Sequence, residues 1–306
     1  MPDNTMKAPK IWKSYNEQLE ILISRGLQIG DARKALGYLR TIGYYRLSGY
    51  LYSFRQLDPN NSESRLDDFI ANSRFEDVKN LYMFDKKLRQ LALDALERVE
   101  VALRVNITYT LGQYAPLAHR LPQYFDTSFK HSEWITRYDG LIEREKGNNF
   151  VQHHLTHYQD LPIWAACELW DFGTMSMLYK GMNTKDKDQI AKTYRLQDGK
   201  HLQTHLHAFN LIRNVSAHHS RLWNRDITFK ASLKGLHDTE WRQLRTNRVF
   251  FYFCLMKRML DVICPNSCWG SRFLSILEEF PQVENQAVTL EQMGMTIRPE
   301  EWRLWQ

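Results

Sequence analysis

The sequence predicts an all-α protein, and three observations predict it. Apolar residues recur at helical rather than alternating spacing through the longest stretches free of Gly and Pro. Capping and stop residues bracket several of those stretches. No alternating apolar and polar run, internal repeat or low-complexity tract is found along the 306 residues. That length can bury a full core and fits one large domain or two modest ones.

In chain order, residues 1–10 are polar and Pro-punctuated and are expected to be disordered. From Tyr15 the spacing Leu19, Leu22, Ile23 predicts a helix that stops near Gly26, and Asp31 is placed to cap a second helix, D-A-R-K-A-L-G-Y-L-R-T-I. The stretch 43–55 interleaves Tyr44, Tyr45 and Tyr50 with Arg46 and Arg55. An aromatic stripe at this spacing reads either as core or as a surface that stacks unpaired RNA bases and holds their phosphates. The breaker segment D-P-N-N-S-E-S, 58–64, predicts the boundary between an N-terminal helical module, 11–60, and a larger domain, 65–306.

Residues 75–111 read as one or two long helices, within which L-E-R-V-E-V-A-L-R sets Glu100 and Arg104 one turn apart, by default a surface ion pair. Gly and Pro punctuate 112–162 into loops and short helices. Asp171-Phe172-Gly173 spells a protein-kinase triplet, but no Gly-rich phosphate loop, strand lysine or H-R-D loop accompanies it. Gly173 then reads as the end of a helix carrying Glu168, which would orient Arg213 if buried and would be plain surface charge if exposed. Residues 240–263 read as an apolar core helix, and Trp302 and Trp305 as packing anchors.

Composition narrows the function. The 41 basic and 35 acidic residues leave a formal charge of +6 and a pI near 9.0, a mild bias toward a polyanionic partner. The aromatic content of 13% is high and serves either packing or base stacking. Cys167, Cys254, Cys264 and Cys268 do not form a disulfide framework, so a reducing cytoplasm is expected. The most apolar run, 249–256, ends at Lys257 and Arg258, far short of the roughly 20 residues of a membrane span, and the N-terminus has no signal core. His153, His154 and His157, and likewise His201 and His205, raise a metal reading. Neither group has an H-E-x-x-H arrangement, and Cys264 and Cys268 lack a second cysteine pair, so no metal or other cofactor is expected.

The stretch that concentrates chemistry is 211–225, L-I-R-N-V-S-A-H-H-S-R-L-W-N-R, with Arg213, Asn214, His218, His219, Arg221 and Arg225. On a helical wheel Ala208, Phe209, Ile212, Val215 and Leu222 share one arc, and His207, Asn210, Asn214 and His218 the opposite one. Arg213 and His218 lie about 140° apart on a straight helix, so the guanidinium must reach. A guanidinium can grip a phosphate in bidentate fashion while an imidazole transfers a proton, which suits cleavage of an RNA backbone by its own 2′-hydroxyl without a metal.

Arg213-Asn214 followed by His218 resembles the Arg-polar-gap-His signature of the HEPN superfamily of helical ribonucleases and RNA-binding domains. The wider R-N-V-S-A-H-H-S-R-L-W-N-R resembles the Abi-like (abortive infection, D/F type) family of bacterial phage-defence proteins. So do R-G-L-Q-I through I-G-Y-Y-R-L-S-G-Y, the helix L-E-R-V-E-V-A-L-R, L-P-I-W-A-A-C-E-L-W-D-F-G-T-M-S, and the closing M-G-M-T-I-R-P-E-E-W-R-L-W. The resemblance implies a HEPN-type helical bundle beside the small N-terminal module, and RNA binding with metal-independent endoribonuclease activity. It further implies a structured small non-coding RNA as partner, a homodimer about a two-fold axis, and Glu100 or Arg104 as a buttress of the site. In that reading Arg213 binds phosphate, His218 moves the proton, Asn214 orients the scissile group and His219 stands in for His218. A non-catalytic protein that holds a small RNA in the same groove is the main rival; a metal hydrolase is a third reading.

Overall fold

Ser14 starts the first helix through a reciprocal pair: its hydroxyl accepts from the Glu17 N–H, and the Glu17 carboxylate accepts from the Ser14 N–H at 2.7 Å. Asp31 caps the second by accepting from the Lys34 N–H at 3.0 Å. These are α1 (Tyr15–Ser24) and α2 (Ala32–Thr41), as the apolar spacing and the Asp31 cap predict; the Ser14 cap is seen only in the structure. The structure, a computed structural model, describes residues 9–158 and 160–306, with Ser62 described by its backbone alone. Most of the expected N-terminal tail, 1–8, lies outside the described residues.

After α3 (Tyr44–Leu51) the chain departs from helix. Strands β1 (Arg55–Asp58) and β2 (Asn61–Phe69) pair antiparallel, Arg55 opposite Phe69 and Asp58 opposite Asn61. The breaker segment is thus the turn of a hairpin, with the Asn60 N–H donating to the Asp58 carboxylate at 2.8 Å. The strands escaped the sequence because, Phe69 apart, their described side chains are exposed or half-buried, so no apolar alternation marks them. The helices that follow are α4 (Phe75–Gly112), α5 (His131–Glu145), α6 (Asn149–His157), α7 (Ile163–Ala166), α8 (Phe172–Gly181), α9 (Thr184–Thr193), α10 (Gly199–Ala217), α11 (Val249–Ile263) and α12 (Trp269–Glu278). The all-α expectation holds, with this hairpin as the exception among the described residues.

The chain packs as two compact units, one running up to Lys86 and including Glu279–Thr289, the other Lys87–Glu278 with Leu290–Gln306. In the first, Leu22, Leu39, Leu47, Phe54, Val78 and Leu81 are buried, and the Tyr50 hydroxyl donates to the buried Asp85 carboxylate at 2.6 Å. The returning segment is tied in by Asn285, whose amide donates to the Ala71 carbonyl and the Ser73 hydroxyl, both at 2.9 Å, and by Phe280 edge-on to Phe84.

In the second unit, the later part of α4 buries Leu88, Leu91, Ala95, Val99, Leu103, Ile107 and Leu111, a helical stripe seven residues deep. All residues of α11 from Val249 to Met256 are buried, although that helix begins nine residues later than the apolar run suggested. Trp269 donates its indole N–H to the Leu91 carbonyl at 2.9 Å, and Phe253, Phe273 and Trp305 stack around it. Trp302 and Trp305 are buried anchors.

Candidate functional site

Everything in the central stretch depends on how α10 is held. Asp198 caps it, accepting from the His201 N–H at 3.0 Å and bonding the His201 ring at 2.6 Å, while Asp188 accepts from the Gly199 N–H at 2.7 Å. A Cβ on Gly199 would stand 2.7 Å from the Lys187 backbone carbonyl carbon, so glycine is what lets α9 approach. Leu202, Leu206, Phe209, Ile212 and Val215 are buried, which leaves His207, Asn210 and Asn214 on the other side, as the wheel predicts, with Arg213 flanking them.

The helix ends at Ala217, earlier than the motif. His218 is its C-cap and is exposed; His219 follows in the left-handed region with φ 57°, its N–H bonded to the Ser216 carbonyl, while the Ser220 N–H reaches the Val215 carbonyl. This is a Schellman turn with histidine where glycine is usual. Leu222 is buried, but it gets there after the turn rather than along the helical arc. His218 therefore projects from a cap rather than from the wheel position that set it about 140° from Arg213.

The Arg213 guanidinium donates to the Asn214 side-chain oxygen at 3.3 Å. It also lines a cleft of about 350 Å³ with Glu97, Glu100, Val101 and Arg104 of α4. Glu100 and Arg104 are ion-paired and mostly buried, and Arg104 donates in addition to the Trp170 carbonyl, which fixes its guanidinium. Burial pushes the Glu100 carboxyl up, against the pull of Arg104 and Arg213. Nearby, Arg137 of α5 grips Asp171 with Nη2 at 2.9 and 3.0 Å and donates from Nε to the Thr174 hydroxyl at 2.7 Å. Burial raises the Asp171 carboxyl, but Thr174 and Arg137 outweigh it and hold it below its ordinary value.

The cleft is thus walled by fixed cations and fixed carboxylates in near balance. Arg213 can take a phosphate there only alongside Glu97 and Glu100, a geometry that favours one well-oriented oxyanion over bulk anion binding.

Asp171 is the N-cap of α8, accepting from the Thr174 N–H at 2.6 Å, so Gly173 lies near the start of a helix and does not end the one before it. Glu168 sits in a short 3-10 turn and is exposed, with its carboxylate 3.8 Å from the Cys167 sulfur. It is surface charge in this structure. Burial, and then Glu168, push the Cys167 thiol up to about 11.

Among the other candidates, Tyr45 is 92% exposed and Arg46 is exposed, while Tyr44, Arg221 and Arg225 are half-buried. Tyr50 is core: 1% exposed, bonded to Asp85 and edge-on to Tyr82, it has no open face for a base. Arg55 is largely spent on Asp67 at 2.9 Å. His153 and His157 contact each other ring to ring on α6, and His201 and His205 are buried. Among the described residues no group of three or more His, Cys, Asp or Glu side chains is placed to hold a metal ion, and no helix is long and apolar enough to cross a membrane.

The model of the Abi-like protein family matches residues 37–224, more than half of the 306. The chain belongs to the Abi-like family. Membership points to abortive infection, a defence against phage. The matched span of this Abi-like protein takes in Glu97, Glu100, Arg104, Asp171 and Arg213 through Asn224, so the whole cleft is family territory. Residues 25–36 and the closing 293–305 lie outside it. No curated protein and no solved structure shows a significant match. Sequence reasoning placed Asn210 on the polar arc but missed Arg137 and Asp171, which come near it around Gly173. The Asp171 cap was a local signal that could have found one of them; Arg137, 34 residues upstream, had none.

Proposed function

We propose that this Abi-like protein binds RNA and acts as a metal-independent endoribonuclease of HEPN type in phage defence, in complex with a structured small non-coding RNA. The observation that supports this reading most is the Arg213 cleft: two stretches more than a hundred residues apart in sequence, Glu97 to Arg104 and the helix carrying Arg213, line one cleft, with His218 exposed at the end of that helix. Arg213, oriented by Asn214, binds the phosphate and the charge that develops on it; His218, exposed at the cap, takes or gives the proton; His219, on the left-handed turn, stands in for it. Each compact unit offers RNA contacts of its own by stacking and charge, Tyr44, Tyr45 and Arg46 in the first and Arg221 and Arg225 in the second. Cytoplasmic location accords with a target in cellular or phage RNA.

The active form is a homodimer. Supporting this, Val101, Val105 and Tyr109 stand one turn apart on α4, 53%, 60% and 74% exposed, and Val101 also lines the Arg213 cleft. A copy docked on that stripe would close the cleft.

Arg213→Ala tests the reading: it should abolish cleavage while RNA affinity falls only severalfold, since one phosphate contact among several is lost. Glu97 and Glu100 beside Arg213 favour a second reading, in which the groove holds RNA without cutting it. That reading stands if no RNA offered is ever cut, yet RNA co-purifies.

A further inference from the structure

A second cleft, of about 640 Å³, lies along the same helix, between α8, α10 and residues 228–230. Its wall carries Lys180 from α8, Gln203 and His207 from α10, and Phe229 and Lys230 from the segment beyond, with no carboxylate among the lining residues. Phe229 is 51% exposed although it is a large apolar side chain, and its ring meets the His207 ring edge to face with centroids 3.9 Å apart. Met177, 41% exposed, adds an apolar patch to the floor.

We infer that this cleft binds one nucleotide of an RNA strand, its base on Phe229 and its phosphate on Lys180 and Lys230. The size suits a ligand of that class. An aromatic ring buttressed from one side and open on the other is a stacking platform, and every base has a π-face to offer it. Two ammonium groups without a competing carboxylate attract phosphate and disfavour a metal ion. The inference rests on the RNA-binding reading above and gives the strand a direction. His207 and His218 are eleven residues apart on α10, about 16 Å along its axis. A strand seated at Phe229 would therefore run along the Asn210 and Asn214 side of the helix toward Arg213 and His218.

The test uses the full chain. Binding of adenosine 5′-monophosphate and of inorganic phosphate is followed by NMR titration, and that of a single-stranded RNA decamer by fluorescence anisotropy. The mononucleotide should bind more tightly than phosphate and be displaced by the decamer. Phe229→Ala should weaken both organic ligands about tenfold or more, with Phe229→Tyr restoring them. Lys180→Gln with Lys230→Gln should flatten the salt dependence of decamer binding by about one unit of slope. Mononucleotide binding is read without any cleavage step, so a failure of the cleavage reading does not touch this result. Equal affinity for phosphate and mononucleotide, or no competition by the decamer, overturns the inference. So does decamer affinity unchanged within twofold in Phe229→Ala, even where the parent binds and cuts RNA.

Discussion

Two histidines outside the motif report on the core. His119 is fully buried beside Trp134 and Tyr138, and His205 is buried with its Nε2 3.4 Å from the Ser232 carbonyl. Burial pulls each down to about 4 from the ordinary 6.5, aided at His119 by Arg120. Above pH 6.5 both are neutral folded or unfolded, and their contribution to stability is fully present. As pH falls from 6.5 toward 4 the unfolded chain binds protons that the folded chain refuses, and stability is lost. Each site accounts for up to about 3 kcal/mol over that window. Urea midpoints measured from pH 7 to 4 should fall steeply for the parent and less steeply for His119→Phe. Equal slopes would mean that His119 is not held neutral. Nothing in the sequence marked His119; its neighbours come from α5, and only the tertiary fold makes it a core residue.

At the scale of elements, what was legible was what chemistry writes locally. The cap at Asp31, the helical reading of α1 and of 75–111, and the buried arc of α10 followed from local spacing. The hairpin did not, because, Phe69 apart, its described side chains are exposed or half-buried, and the end of α10 did not, because His219 occupies a turn position that glycine normally signals. The close pairing of α9 and α10 is likewise invisible in sequence, yet Gly199 depends on it. Gly199→Ala would place a Cβ 2.2 Å from that of Lys187 and against its backbone, so α9 must shift. Despite the better helix propensity of alanine we expect a loss of about 1–3 kcal/mol in urea unfolding; a neutral or stabilised variant would mean that the two helices are not packed this closely. The α4 stripe makes the matching prediction for assembly. Val105→Lys should halve the mass seen by light scattering while leaving the melting temperature within a few degrees, because Val105 is 60% exposed. A parent that is monomeric and active at high dilution would remove the dimer from the account.

For the whole molecule, charge and composition spoke for a polyanion without locating it, and the family match over 37–224 accounts for phage defence without fixing the chemistry. The Arg213 motif was legible because its residues are contiguous. Its cleft was only half legible, since Glu100 and Arg104 were readable as a pair but their meeting with Arg213, and the charge that Asp171, paired with Arg137, exerts on Glu100, arise through folding alone. Tyr50 shows the converse hazard, an aromatic in a binding-like stretch that the fold uses as core. What decides between a nuclease and a holder of RNA is His218, exposed on its cap five residues after Arg213. The direct measurement incubates the parent and His218→Ala with the co-purifying RNA in EDTA, and reads both the rate and the chemistry of the new ends. The account predicts 2′,3′-cyclic phosphate ends from the parent, and a rate on the order of a hundredfold lower or less in His218→Ala at comparable RNA affinity. Cleavage as fast in His218→Ala as in the parent would contradict it.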